Sequence, residues 1–93
     1  MTEVRVAPQV AEFCACLPPE PRKKLHAAIR GLALENGDIK SLEGRLIGYS
    51  RLRCGAFRVI LKFSFIDGLR RVDCIFAEHR SIVYEVLLST LGG

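Results

Sequence analysis

The dipeptide Asp67-Gly68, set between two runs in which apolar and polar residues alternate, constrains this chain more than any other feature of its sequence. Asp-Gly suits the left-handed backbone that a two-residue hairpin turn requires. Such a turn predicts a register with Phe63 opposite Val72, Leu61 opposite Cys74 and Val59 opposite Phe76 on the core face. The other face then pairs Lys62 with Asp73, Ile60 with Ile75 and Arg58 with Ala77. A one-residue slip would send every side chain to the wrong side, so the pattern specifies register as well as topology.

Upstream, "YSRLRCGAFRVILKF" (Tyr49 to Phe63) alternates in the same way around Gly55-Ala56. A two-residue turn there sets Leu52 against Val59 on the core face and Arg53 against Arg58 on the other, whereas a bulge would shift the pairing by one. Like charges directly across a strand pair destabilise it. Tyr49, Arg51, Arg53, Arg58 and Lys62 all fall on that second face. Two readings are open for it: a solvated strand face, or a surface for a polyanion. Juxtaposed arginines favour the second, because a solvated face more naturally alternates signs, as Lys62 and Asp73 do, and the guanidinium fork matches phosphate geometry. RNA phosphate is the expected occupant.

The rest of the chain supplies the partners of this meander. "EVRV" (Glu3 to Val6) alternates weakly, as an edge strand does. From Pro8, Val10, Phe13, Cys14 and Leu17 form a helical stripe that "LPPEP" breaks. Pro21 suits the first turn of a second helix with the stripe Leu25, Ala28, Ile29 and Leu32, closed by "ENGD" with Gly37 as left-handed cap. Phe13, Leu25, Ile29 and Leu32 should therefore pack on Leu52, Val59, Leu61, Phe63, Val72, Cys74 and Phe76. A last helix carries Val83, Leu87, Leu88 and Leu91.

With 93 residues, 49% hydrophobic, residues 1–93 make one domain. The net charge of +4 is unevenly spread: Arg45 to Arg80 holds eight Lys or Arg against three acids, +5, and the remainder six against seven, −1. A polyanion or an acidic protein is the implied partner. No apolar run has the length of a membrane span and no export signal opens the chain, so cytoplasm is the expected compartment, without a membrane partner. Cys14 and Cys16 lie two apart on a helix, and Cys54 and Cys74 have no metal-ligand spacing, so all four read as reduced thiols and no metal or cofactor is expected.

"LEGRLIGYSRLRCGAFRVIL" (Leu42 to Leu61), "HRSIVYEVL" (His79 to Leu87) and the earlier "LPPEPRKKL" together resemble the RelE/ParE superfamily of toxins from toxin–antitoxin systems, over essentially the whole chain. The resemblance implies an α+β fold: a small antiparallel sheet with two N-terminal helices on one face and a short C-terminal helix. It implies a cognate antitoxin, RelB-like or similar. RelE-like members are ribosome-dependent endoribonucleases that cut mRNA in the A site by attack of a 2′-hydroxyl on the adjacent phosphate; ParE-like members inhibit DNA gyrase without cutting RNA. The nuclease reading is favoured, with gyrase inhibition or an inactive, antitoxin-binding relic as alternatives.

Carried over by position, Arg58 matches the phosphate-stabilising hairpin arginine, Arg51 and Arg53 the basic positions upstream of it, and Tyr84 the tyrosine that stacks on RNA or moves a proton. His79 falls where relatives carry a histidine or basic residue, and Arg80 matches the late arginine. With Tyr49 and Lys62, these make up the expected site. Tyr49 stands where the best-known nucleases have lysine, and Glu78 near where they have arginine. For two of these residues a plainer reading stays open: Tyr84 as part of the last helix's apolar stripe, and His79 as a strand-end residue. Arg22, Lys23, Lys24 and Arg30 read as a solvated helix face that would add nonspecific rRNA affinity on a ribosome-bound toxin.

Overall fold

A computed structural model describes residues 1–92. A five-stranded sheet is ordered β1-β5-β4-β3-β2, with β1 Glu3–Val6, β2 Asp38–Ser41, β3 Ser50–Cys54, β4 Phe57–Ile66 and β5 Leu69–His79. β2 to β5 pair antiparallel, and β1 adds to β5 in parallel. Helices α1 (Pro8–Ala15) and α2 (Pro19–Gly31) follow β1, and α3 (Val83–Gly92) closes the chain. Prolines open both N-terminal helices, where their missing N–H costs no intrahelical bond.

α2 runs into one 3₁₀ turn, Leu32–Leu34, and the left-handed residue after it is Glu35 (φ 52°), two positions before the expected Gly37 cap. Gly37 has a different task. Its φ is +120°, and a Cβ there would lie 2.9 Å from Leu52 Cδ1, so glycine alone fits where the chain turns under β3. β2 is a strand the sequence does not announce: of Asp38–Ser41 only Ile39 is apolar, so alternation has one residue to show itself in.

Both hairpins form as expected at their turns. Asp67 (φ 53°) and Gly68 (φ 78°) are both left-handed, and pairing runs Ile66↔Leu69, Phe63↔Val72, Lys62↔Asp73 and Leu61↔Cys74. Beyond Leu61 the expected register fails. A bulge at Ile75 re-pairs Ile60 with Phe76, Val59 with Ala77, Arg58 with Glu78 and Phe57 with His79. Two consecutive residues of β5 then serve one residue of β4, and every later side chain changes face.

The sheet has a core on each side. Under α1 and α2, Leu52, Val59, Leu61, Val72, Cys74 and Ala77 pack with Val10, Cys14, Leu25, Ile29 and Leu32; Phe13 and Phe63 join from the rim. Phe76, expected there, is absent, and the bulge gives its place to Ala77. On the other face Ile60, fully buried, packs with Leu46, Val83 and Leu87, joined by Tyr49, Ile75, Phe76, Tyr84 and Leu88. The second face is therefore not bare. α3 covers part of it and leaves the β2–β3–β4 corner open.

Candidate RNA-binding site

Register builds the site. Cross-strand neighbours share a face, so Asp38↔Arg53, Arg53↔Arg58 and Arg58↔Glu78 place four side chains in one row across four strands. The order of charges is minus, plus, plus, minus. The arginine pair is real, and a carboxylate stands at each end of it. Arg53 Nη1 lies 3.9 Å from Asp38 Oδ2, both side chains about half exposed. Arg58 Nη1 donates to the carbonyl oxygens of Gly55 and Phe57, each at 2.9 Å, which clips the guanidinium over the β3–β4 turn. A guanidinium has five N–H donors, so most of its fork stays free. Glu78 Oε1 accepts the backbone N–H of His79 at 2.9 Å, which fixes the carboxylate in orientation.

The next row is Lys40, Arg51, Ile60 and Phe76. Arg51 is well enclosed, its side chain 16% exposed. Its Nη1 donates to the backbone oxygen of Asp38 (3.3 Å) and reaches Asp38 Oδ1 (3.5 Å). Tyr84, in the first turn of α3, is half-buried against the α3 cluster. With Arg51, Lys40 and Glu43 it lines a cavity of about 230 Å³. Tyr84 therefore belongs to the apolar stripe and also borders the basic face.

The remaining expected residues are placed less centrally. His79 pairs with Phe57, which packs edge-on against Phe13 of α1, so the imidazole lies on the helix-covered side of the sheet, opposite to Arg58. Its Nδ1 accepts the Ser81 N–H (3.1 Å) and lies 2.8 Å from Ser81 Oγ, the arrangement of a strand-end residue. Without the bulge it would have shared the face of Arg58. Lys62 sits with its Nζ 5.6 Å from the Tyr49 ring centroid, a cation–π contact beyond the covered Ile60, four residues along β4 from Arg58. Tyr49 and Lys62 thus form a separate patch. Arg80 is exposed, and its backbone N–H donates to Ala56 O at 2.7 Å beside the β3–β4 turn.

Glu78 and Asp38 are the site residues that sequence reasoning missed. Glu78 was visible only as a departure from a motif, because its face depends on the bulge; Asp38 lies on an unannounced strand. Cysteine chemistry is remote from the row: burial and then the charge of Asp73 push the Cys74 thiol up to about 12, and burial raises Cys14 and Cys54. Among the described residues no cluster of three His, Cys, Asp or Glu is poised to hold a metal ion. A roomier cavity of about 490 Å³ lies elsewhere, between β1, α1 and α2, apolar at Val6, Cys14 and Ile29 and edged by Arg22, His26 and Arg30.

No family model matches the chain, and no curated protein does. Solved structures do. The chain is similar to a YoeB/ParE toxin from Agrobacterium tumefaciens (17% identity, TM-score 0.65, covering 85% of this chain and 99% of that one). It is also similar to the toxin–antitoxin complex RelBE2 from Mycobacterium tuberculosis (24%, 0.58, 85% and 98%). The archaeal RelE–RelB complex from Pyrococcus horikoshii is a third (23%, 0.63, 85% and 94%). The chain has the fold of the RelE/ParE toxins.

Proposed function

We propose that this protein is the toxin of a toxin–antitoxin pair and an endoribonuclease, with mRNA in the ribosomal A site as substrate. The observation that carries the reading is the row Asp38, Arg53, Arg58, Glu78 on an open sheet face. A phosphate seated between Arg53 and Arg58 turns their repulsion into shared attraction, strongest as negative charge builds on the phosphoryl oxygens in the transition state. The 2′-oxygen of the preceding nucleotide attacks phosphorus, and its proton passes to Glu78. The bond from phosphorus to the 5′-oxygen breaks, that oxygen takes a proton from solvent, and a 2′,3′-cyclic phosphate remains. Arg51, held by Asp38, and exposed Arg80 extend the positive surface toward flanking phosphates.

The partner in this reading is an antitoxin, supported by fold neighbours that are themselves toxin–antitoxin complexes. Gyrase inhibition through a protein interface is the second reading, and one observation favours it: Phe65 (68% exposed), Ile66 and Leu69 (69%) make an apolar end to the β4–β5 hairpin.

The experiment is Arg58→Ala and Arg53→Ala, tested for growth arrest and for mRNA cleavage with and without ribosomes. Arg58→Ala abolishes both while leaving thermal stability nearly unchanged, because two backbone hydrogen bonds are lost, at about 0.5–1.5 kcal/mol each, as the repulsion from Arg53 is relieved. Arg53→Ala does so less completely. Full toxicity in Arg58→Ala, or growth arrest by a wild-type protein that cuts no RNA, would overturn the nuclease reading.

A further inference from the structure

The cavity beside the arginine row is walled by an acid, two bases and an aromatic ring. Tyr84 forms one side, Arg51 and Lys40 supply positive charge, and Glu43 supplies a carboxylate, with Ser41 and Leu42 between them. Its walls are positioned by separate devices. Lys40 is register-paired with Arg51. The Leu42 N–H donates to Tyr49 O at 2.9 Å, closing the base of the loop that follows, and Glu43 O accepts the Leu46 N–H at 3.2 Å. Arg51 is already engaged with Asp38, whereas Lys40 and Glu43 form no ion pair within 4 Å among the described residues. Both are exposed.

A carboxylate here is wrong for phosphate, which it repels. It is right for a base edge that donates. At about 230 Å³ the space falls below the roughly 300–1,000 Å³ of sites for drug-sized ligands, so it takes one planar group rather than a whole nucleotide. Among the four RNA bases only guanine carries two adjacent donors, N1–H and N2–H₂, for a carboxylate to accept together. Its O6 and N7 are two adjacent acceptors, the edge that Lys and Arg read. Adenine and cytosine offer a single amino group, and uracil a single N–H. A tyrosine wall adds stacking, as single-stranded RNA readers use for unstacked bases.

We infer that this cavity binds a guanine base of the RNA, with Glu43 accepting from N1–H and N2–H₂, Lys40 donating to O6 and N7, and Tyr84 stacking on the ring. Glu43 and Lys40 are thus specificity-determining residues. The inference rests on the RNA-cleaving reading for its biological setting but is tested without cleavage. Titrate the full-length protein with GMP, IMP, AMP, CMP and UMP, following backbone amide shifts by NMR. GMP binds about tenfold or more tightly than AMP, CMP or UMP, with shifts at residues 40–43 and 84. IMP, which lacks the N2 amino group, binds several-fold more weakly than GMP to the wild type and equally to Glu43→Gln. Lys40→Met weakens GMP more than UMP.

Equal affinity for the four natural nucleotides overturns the inference, as does a GMP-to-AMP ratio that Glu43→Gln leaves unchanged or shifts clustered away from the cavity. If guanine preference is lost while RNA is still cut, the base site alone fails. If preference is found in a wild-type protein that cuts no RNA, the nuclease reading fails and the base site stands.

Discussion

Arg58 is the residue on which the proposed chemistry turns, and its surroundings explain why the fold tolerates it. The repulsion from Arg53 is answered at both ends of the row by Asp38 and Glu78, and its Nη1 is clipped to two carbonyls of its own turn. Glu78 gives the sharpest test of its role. In the proposed reaction it subtracts from the positive field offered to RNA, yet it is the carboxylate that takes the proton. Glu78→Gln therefore separates binding from chemistry: RNA affinity rises, while the cleavage rate at saturating RNA falls by about 10²–10⁴, the usual worth of a positioned base. A faster cleavage rate in Glu78→Gln would make the glutamate only a brake on binding. His79, from the other side of the sheet, should change neither quantity much on replacement by Gln.

Among the elements, the β4–β5 hairpin does two things. Its bulge sets which β5 residues meet the arginines, and its far end is tied to the start of the chain. Glu35 Oε2 accepts from Thr2 Oγ1 at 2.6 Å and Arg70 Nε at 2.7 Å, while Arg70 stacks on Phe63 at 4.7 Å from the ring centroid. The Thr2 hydrogen bond, then that of Arg70, lowers the Glu35 carboxyl below its ordinary range. A depressed folded value means the stabilisation is complete above the unfolded pKa of about 4.3 and is lost as pH falls through the lower folded value. Glu35→Gln should thus be less stable than wild type at pH 7, with the gap closing toward pH 3. Chemical denaturation at the two pH values checks this, and an equal gap at both would assign Glu35 a purely conformational role. The bulge has its own check: deleting Ile75 removes the extra residue but leaves Ile60 opposite Phe76 and Arg58 opposite Glu78, so cleavage should persist, and its loss in protein that retains β structure would give the local twist of the bulge a role of its own.

At the scale of the molecule, one sheet is shared by two cores, and the candidate site is the part of the second face that α3 leaves open. Leu61 is fully buried between β3, β5 and the N-terminal helices, so Leu61→Ala should cost about 2–5 kcal/mol, read as a lower urea midpoint with little change in slope. Near-wild-type stability would contradict the register on which the site rests. The open basic face predicts strong salt dependence for RNA binding. Each phosphate neutralised contributes about −0.7 to the slope of log K against log salt for a single strand, so Arg53→Ala should flatten that slope by roughly 0.7. A slope near zero in the wild type would point to the apolar hairpin end as the working surface.

The sequence by itself determined what depends on neighbours in the chain. Asp67-Gly68 and Gly55-Ala56 set two hairpins whose first pairings follow the turns; the stripes of α1 and α2 set the larger core, and Arg53 came to face Arg58 because only the short turn segment Cys54 to Phe57 separates them. What tertiary structure decided depends on contacts between distant segments. α3 packs on the second face because Ile60, Ile75 and Phe76 together offer it an apolar seat, and that seat exists only once the bulge turns Phe76 toward it. The same bulge carries Ala77 into the first core, Glu78 to the arginines and His79 away from them. β2, with a single apolar residue, is a strand only because β3 presents an edge to pair with, and through it Asp38, Lys40 and the walls of the small cavity reach the site. Local alternation carries no record of an extra residue whose cost is met by packing on the far side of the sheet.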